Sequence, residues 1–238
     1  MSNINVEYVD YQVAGQDFQG CLLFPKGAKN QPAVLLAPNW MGVADVAIDA
    51  AKSVAEKGYV VFVADLYGAK VRPTNGDEAA AAMMAVKDQP AERQRMQGAL
   101  DALLAQQHAP VNVAKVAAIG FCFGGHCVLE LARSGAKLNA FVTFHGGLDT
   151  KDTDGAKNIS GSVLVLNGAE DPLIPAEQIS GFVEEMKGHN VDWQLINYGG
   201  AVHSFTDPTA NVPGMSQYNE KVTHRAFAQM YQLFADVL

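Results

Sequence analysis

The strongest candidate for a nucleophile is a cysteine in one short motif. Cys122 stands between Gly120 and Gly124 in the pattern Gly-x-Cys-x-Gly, after an apolar run and before a helix-like segment. A nucleophile on a sharp strand-to-helix turn needs very small residues two positions away on each side, because the backbone there is strained and crowded. The N-terminus of the following helix would favour a thiolate and stabilise an oxyanion. The motif therefore predicts a nucleophile elbow that carries a cysteine.

Two other interpretations of the motif are open. A buried structural cysteine beside a glycine-rich turn would have a similar local sequence. A phosphate-binding loop is disfavoured, because the motif lacks the Lys-Ser/Thr ending and does not meet the Gly-x-Gly-x-x-Gly spacing. We keep the elbow as the working hypothesis, and it requires partners elsewhere in the chain.

A catalytic thiol needs a base that takes its proton and an acid that protonates the leaving group. Where a nucleophile elbow occurs, an acidic residue and then a histidine follow it along the chain, each on a loop after a strand. Asp171 meets the first requirement, because it follows the predicted strand 162–166. An Asx turn or a cap before Pro172 is the alternative role for this aspartate, and Glu170 is the neighbouring candidate carboxylate.

The predicted base is His203. It follows the predicted strand 193–196, and the small residues before it would let its loop fold back over the elbow. His126 instead lies on the helix of the elbow. His145 follows the predicted strand 140–144, where it could reach the rim of the site, so it is a candidate for substrate binding. The remaining histidines fall on helices or their ends, where solvation explains them: His108, His189 and His224.

An oxyanion hole requires two backbone N–H groups. We expect one from Phe123, directly after the nucleophile. The loop after the predicted strand 33–37 should supply the other, with the N–H of Trp40 preferred. Packing of the Trp40 ring against the entrance is an alternative role for that residue. Cys21 and Cys127 are expected in the core.

The rest of the chain predicts the elements that must position these groups. Residues 6–13 and 18–24 read as a hairpin that turns at 14–16. Apolar runs then alternate with helical stretches, which is typical of a mostly parallel, twisted sheet with helices on both faces. Such sheets bind ligands at the carboxyl ends of their strands. The later strands are expected at 33–37, 60–64, 113–119, 140–144, 163–166 and 193–196, and the helices at 46–57, 77–107 with a break at Pro90, 125–133, 176–187 and 218–237. Residues 70–76 and 150–162 are expected to be irregular.

Composition limits the class of protein. A chain of 238 residues with 49% apolar and 18% charged residues fits a single α/β domain over residues 1–238. The net charge of −8 argues against nucleic-acid and anionic-membrane partners. The three cysteines show neither a disulfide framework nor zinc spacing, and no metal or cofactor is expected. We see no secretory signal or membrane-length apolar run, so a cytoplasmic location is predicted.

Four ordered segments together resemble the dienelactone hydrolase (carboxymethylenebutenolidase) family of the α/β-hydrolase superfamily. The segments are 57–68, 120–125, 167–171 and 203–205, and the similarity extends over essentially the whole chain. The resemblance implies an α/β-hydrolase fold without a large lid. It also implies a triad of Cys122, Asp171 and His203 that acts on lactones and esters, with the oxyanion role assigned to Trp40 and Phe123.

This sequence departs from the family's lactone hydrolases at two places. Those enzymes hold the resting thiol with a glutamate where this chain has Asn39, which cannot accept a proton. They bind the substrate carboxylate through arginines, whereas Asp207 lies where one of these arginines is expected. Arg72 lies near the expected region of the other. Asn39 and Arg72 are therefore candidates for substrate binding, and Asp207 is expected to repel an anionic lactone.

The sequence thus predicts a hydrolase that cleaves ester or lactone bonds of small molecules through a thioester on Cys122. A thiolate leaves a tetrahedral intermediate more easily than a poor alkoxide does, so activated esters such as enol lactones should suit it best. A thiol sensor or small-molecule binder on the same fold is one alternative, and acyl transfer or thioester hydrolysis is another. We expect a monomer or small homo-oligomer.

Overall fold

The fold described by a computed structural model covers residues 3–238 and combines helices with a mostly parallel sheet. Within these residues, eight strands form the sheet in the order β1-β2-β4-β3-β5-β6-β7-β8. The strands are β1 (Ile4–Val13), β2 (Gln16–Pro25), β3 (Gln31–Ala37), β4 (Val60–Val63), β5 (Val111–Phe121), β6 (Ala140–Phe144), β7 (Ser162–Gly168) and β8 (Trp193–Tyr198). The helices are α1 (Asp45–Ala55), α2 (Gly76–Met84), α3 (Pro90–Leu104), α4 (Phe123–Arg133), α5 (Ala176–Gly188) and α6 (Glu220–Val237). The predicted α/β fold class is confirmed.

The chain divides into two compact units, the first ending at Ala118 and the second running from Ile119 to Leu238. The single-domain organisation expected from the chain length stays a prediction. No helix between residues 3 and 238 is long and apolar enough to cross a membrane.

The first unit is built on an antiparallel hairpin. β1 and β2 pair along their whole length, from Ile4 with Pro25 to Val13 with Gln16. The turn between them uses Ala14 and Gly15, both with positive φ, as the predicted turn requires. β2 continues the sheet by pairing antiparallel with β4, and β4 pairs parallel with β3. The last five residues of β3 and all four residues of β4 are buried. Burial on both faces of the sheet explains their continuous apolar sequences.

The second unit places three parallel strand ends side by side. β6 pairs with β7 from Ala140 opposite Ser162, and β7 pairs with β8 from Val163 opposite Trp193. All five residues of β6 are buried, so this strand lies in the interior of the sheet. Because the three strands run in the same direction, the loops that follow their last residues emerge at one edge. Those loops carry His145, Asp171 and His203.

The break at Pro90 agrees with the sequence-based expectation, whereas two short elements differ from it. The long helical stretch is two helices, α2 and α3, separated before Pro90 as predicted. A short 3-10 helix, Gly155–Asn158, lies inside the segment expected to be irregular. A small hairpin of β9 (Asn211–Val212) and β10 (Ser216–Gln217) was not predicted. Its two-residue strands are too short to produce an alternating apolar pattern in the sequence.

Candidate active site

The turn at Cys122 has the strand-turn-helix geometry that the motif predicts. β5 ends at Phe121 and α4 begins at Phe123, so Cys122 is the single residue between them. Its φ of 54° and ψ of −119° lie in a region that residues with a side chain rarely adopt. A Cβ atom added at Gly120 would collide with the carbonyl group of Gly124. The glycine two residues before the nucleophile is therefore a steric requirement.

A second close approach holds the first turn of α4 against the end of β6. A Cβ atom at Gly125 would lie 2.9 Å from the Cα of Gly146 and would also collide with the side chain of Thr143. The backbone of α4 therefore contacts the backbone that follows β6, at Gly125 on one side and Gly146 on the other. Gly146 is thus a steric requirement that the sequence motif does not indicate, because nothing in the local sequence links it to the elbow.

Hydrogen bonds fix the Cys122 backbone from both sides. Its N–H donates to the carbonyl of Phe144 at the end of β6 (3.1 Å), and its carbonyl accepts from the N–H groups of Gly125 and His126. The side chain is half-buried, while every residue of α4 is buried. Phe123 opens the helix, so its N–H belongs to the first turn, where helix N–H groups point toward the N-terminal end and favour negative charge. The thiol thus lies at the positive end of a rigid helix.

Asp171 and His203 are joined by a buried hydrogen bond. Nδ1 of His203 lies 2.8 Å from Oδ2 of Asp171, and the two residues are 6% and 5% exposed. The other carboxylate oxygen, Oδ1, accepts the N–H of Leu173 (2.9 Å). Glu170, the alternative carboxylate, is exposed and accepts the N–H of Gly200. Of the two candidate carboxylates, Asp171 is therefore the one that is hydrogen-bonded to His203, and Glu170 is not.

The loop that carries His203 is held by the unpredicted hairpin. The His203 N–H donates to the carbonyl of Met215 (3.1 Å), and the His203 carbonyl accepts the N–H of Gln217 (3.0 Å). Ser204 then turns the chain with a positive φ of 53°. The backbone of the histidine is thus bonded on both of its polar groups, so the loop is positioned by β9 and β10 and not by its own sequence alone.

Cys122 also raises the pKa of the His203 imidazole. Burial alone would lower the pKa of His203, but the hydrogen bond to Asp171 and the hydrogen-bonding and charge effects of Cys122, together with the Asp171 charge, raise that pKa to about 10. The Nε2 atom of His203 is nevertheless buried and makes no hydrogen bond of good geometry to any of residues 3–238. Contacts of this kind are often poorly aligned before substrate binds. The structure thus brings Cys122, Asp171 and His203 together.

His145 is placed beside His203, the predicted base. Its ring centroid lies 5.2 Å from that of His203, and its Nε2 is 2.8 Å from Oγ1 of Thr206. The residue is only 2% exposed. Thr206 lies 61 positions from His145, so no local sequence pattern indicates this hydrogen bond.

The three candidates in the first unit have partners of their own. Oδ1 of Asn39 accepts the N–H of Met41 (3.0 Å). The carbonyl of Trp40 accepts the hydroxyl of Tyr67 (2.8 Å), and the Trp40 residue is 37% exposed. The Arg72 guanidinium donates to a carboxylate oxygen of Asp65 and to three backbone carbonyls, those of Gln19, Gly68 and Val71. The substrate-binding roles of Asn39 and Arg72 and the oxyanion role of Trp40 stay predictions.

The Asp207 side chain is hydrogen-bonded within its own turn. Its Oδ1 accepts both the N–H and the hydroxyl of Thr209, at 2.8 and 2.7 Å. Its own N–H donates to the carbonyl of Ser204. The carboxylate therefore closes a turn directly after the loop that carries His203.

Comparison with known proteins identifies the family of this chain. The family model described as the dienelactone hydrolase family matches residues 18–238. The chain belongs to the dienelactone hydrolase family. A Bradyrhizobium protein named as a probable 2-oxo-3-(5-oxofuran-2-ylidene)propanoate lactonase is 26% identical over 215 residues, covering 85% of this chain and 84% of that protein.

Solved structures agree with the family assignment. A structure named m3DLH is 38% identical to this chain, with a TM-score of 0.93 and 99% of both chains covered. A dienelactone hydrolase-like promiscuous phosphotriesterase from metagenomic libraries is 37% identical, with a TM-score of 0.91 and the same coverage. As a member of the dienelactone hydrolase family, the protein is a carboxylic ester hydrolase that acts on small-molecule ester or lactone substrates.

Proposed function

We propose that this protein hydrolyses activated esters and lactones through a thioester acyl-enzyme on Cys122. The observation that carries the proposal is the buried His203–Asp171 hydrogen bond of 2.8 Å, on an imidazole whose pKa is also raised by Cys122. A nucleophile, a base and a group that orients the base are the three parts that covalent acyl transfer needs.

His203 enters the proposed mechanism as an imidazolium. With its pKa raised to about 10, His203 holds a proton at neutral pH. In the proposed mechanism the nucleophile is the Cys122 sulfur as a thiolate, paired with this imidazolium at the start of α4. Asp171 keeps the ring in the orientation that presents Nε2 to the sulfur.

Acylation then follows from this arrangement. The Cys122 sulfur attacks the substrate carbonyl, and the negative charge on the carbonyl oxygen develops near the N–H of Phe123 at the start of α4. The His203 imidazolium donates its Nε2 proton to the leaving oxygen, so the alcohol or enol leaves and a thioester remains. Neutral His203 next removes a proton from water, the hydroxide attacks the thioester, and the acid and the Cys122 thiolate are released.

The experiment is turnover of an activated aryl ester and an enol lactone by purified protein and by three variants. Cys122→Ala and His203→Ala should each lower kcat by about 10³-fold or more. Cys21→Ala, at a buried cysteine of β2, is the matched control and should keep kcat within about twofold. Undiminished turnover by Cys122→Ala would overturn the proposal and would leave the family's reaction to another nucleophile.

Phosphotriester cleavage is a second candidate activity. The phosphotriesterase named above is 37% identical over 99% of the chain. A thiolate can attack a phosphotriester as it attacks a carbonyl, expelling an aryl oxide and leaving a phosphorylated sulfur that water hydrolyses. An aryl dialkyl phosphate should therefore release its phenol with wild type and not with Cys122→Ala. Absence of Cys122-dependent release would remove this activity.

Three further features remain proposals from the sequence. They are a cytoplasmic location, a monomer or small homo-oligomer, and the absence of metal, cofactor, nucleic-acid and membrane partners. A thiol sensor on the same fold would label at Cys122 but would not turn over esters, so the assay above separates it from a hydrolase.

A further inference from the structure

The loop that carries the catalytic base wraps around one side chain. Three of the four residues from His203 to Thr206 contact the ring of His145. The His145 centroid is 5.2 Å from that of His203 and 5.0 Å from that of Phe205, both in edge-to-face arrangements, and Thr206 is bonded to its Nε2. Edge-to-face pairs at such distances are favourable beyond simple burial. His145 therefore occupies the inside of the turn.

The position of His145 is itself fixed by the sheet. Its N–H donates to the carbonyl of Leu166 in the neighbouring strand (2.9 Å), and its φ is 42°, in the left-handed region. Left-handed backbone is unfavourable for most residues but is tolerated by asparagine, aspartate and histidine. The ring thus projects from a point that β6 and β7 hold in place.

The ring is neutral. Burial, and then the charge of His203, lower the pKa of His145 well below its ordinary value. Nδ1 is buried and has no hydrogen-bond partner among residues 3–238, whereas Nε2 faces the Thr206 hydroxyl. In either tautomer, the neutral ring shares one hydrogen bond with the Thr206 hydroxyl through Nε2. Two adjacent imidazoles therefore carry one positive charge, and that charge resides on His203.

We propose that His145 is a positioning residue, which holds the His203 ring in its catalytic orientation by ring contact and by anchoring Thr206. This proposal rests on the proposed function. Direct contact with substrate is disfavoured for His145 because only 2% of it is exposed. A neutral ring against the imidazolium also excludes water from one side of His203 without competing for its proton.

Two substitutions distinguish the effect of the aromatic ring at position 145 from the effect of having any side chain there. His145→Asn keeps a residue that tolerates the left-handed backbone but removes the ring, and His145→Phe keeps a ring but removes the bond to Thr206. Since small displacements of a catalytic group can cost about 100-fold, His145→Asn should lower kcat roughly 10- to 100-fold while KM changes less than about twofold. His145→Phe should recover part of that loss, because it keeps the ring contact but loses the bond to Thr206 and disfavours the left-handed backbone. His224→Asn, at an exposed histidine of α6, is the control and should match wild type.

A spectroscopic readout makes the test independent of turnover. The Nδ1 proton of His203, held by Asp171, should give a far-downfield proton NMR signal in wild type and in His145→Phe, and the signal should weaken or broaden in His145→Asn. An unchanged signal with unchanged kcat in His145→Asn would overturn the proposal, as would equal loss of both in the two variants. Cys122→Ala is included because its activity tests the proposed function, whereas the NMR signal tests His145.

Discussion

Asp65 in the first unit and Asp171 in the second are placed alike and used differently. Each follows the carboxyl end of a strand, β4 or β7, and each is buried. Each carboxylate oxygen of Asp65 accepts two hydrogen bonds. The four donors are the backbone N–H groups of Gln19, Tyr67 and Gly68 and the guanidinium of Arg72.

Asp171, by contrast, is hydrogen-bonded to a side chain, His203, that keeps one ring nitrogen without a well-aligned partner within residues 3–238. Its two oxygens accept from Leu173 and from His203. The chain of bonds then ends at Nε2 of His203, which has no well-aligned partner within residues 3–238. A closed network stabilises a fold, since every buried polar atom is satisfied, whereas an open one leaves an atom able to exchange a proton. The comparison distinguishes the structural carboxylate of Asp65 from the proposed catalytic carboxylate of Asp171.

Replacement of Asp171 by asparagine should produce the largest effect on catalysis. An asparagine amide can donate to Nδ1, which would reverse the tautomer of His203 and remove the charge that stabilises the imidazolium. We expect kcat to fall about 10²- to 10⁴-fold, the scale seen for the equivalent change in a serine triad. Steady-state kinetics on an activated ester measure this, and a fall of less than fivefold would contradict the assigned role.

The matched change Asp65→Asn should affect stability instead. It removes a buried, charged acceptor from four donors, including an arginine, so we expect the free energy of unfolding to fall by about 1.5–3 kcal/mol. The kcat of the folded protein should stay within about twofold of wild type. Urea denaturation and ester turnover on the same sample measure both quantities, and loss of kcat without loss of stability would break the comparison.

The proton on His203 offers a smaller, pH-dependent effect. Because its pKa is raised to about 10, His203 should remain charged through neutral pH and lose its proton only as the pH approaches 10. In Cys122→Ala two of the contributions that raise this pKa are absent, so the proton should leave at lower pH. NMR titration of the His203 ring in both proteins measures the difference. Identical titration curves would show that Cys122 and His203 are not coupled.

The smallest effect is expected at Glu170. This exposed carboxylate bonds the N–H of Gly200 and has no contact with His203 that would orient the ring. Glu170→Gln keeps an acceptor for Gly200, so kcat and KM should stay within about twofold of wild type in the same ester assay. A fall as large as that of Asp171→Asn would reassign the acidic member of the triad.

The sequence was sufficient for the features that depend on local chemistry. The glycine at position 120 and the helix that begins at Phe123 make the turn at Cys122 readable from six residues. Asp171 and His203 could be selected because each follows a strand in the expected order. The strands themselves were recognisable as continuous apolar runs, since parallel strands are buried on both faces.

Features that depend on distant contacts could not be predicted. The bond between His145 and Thr206 joins residues 61 positions apart, and no pattern around either residue indicates it. The hairpin that holds His203 has strands of two residues, below the length at which periodicity is informative. The partners of Arg72 are equally remote, since Gln19 lies 53 positions away. Such contacts follow from the fold, which the sequence pattern describes only in outline.

The measurement that tests the central claim most directly is intact-mass spectrometry during turnover of an activated ester. Acid quenching in the first seconds should reveal a protein population heavier by one acyl group, and peptide mapping should place that group on Cys122. Cys122→Ala should carry no adduct, and His203→Ala should acylate far more slowly. Rapid hydrolysis by wild type with no adduct on Cys122, or with the acyl group on another residue, would contradict a cysteine acyl-enzyme.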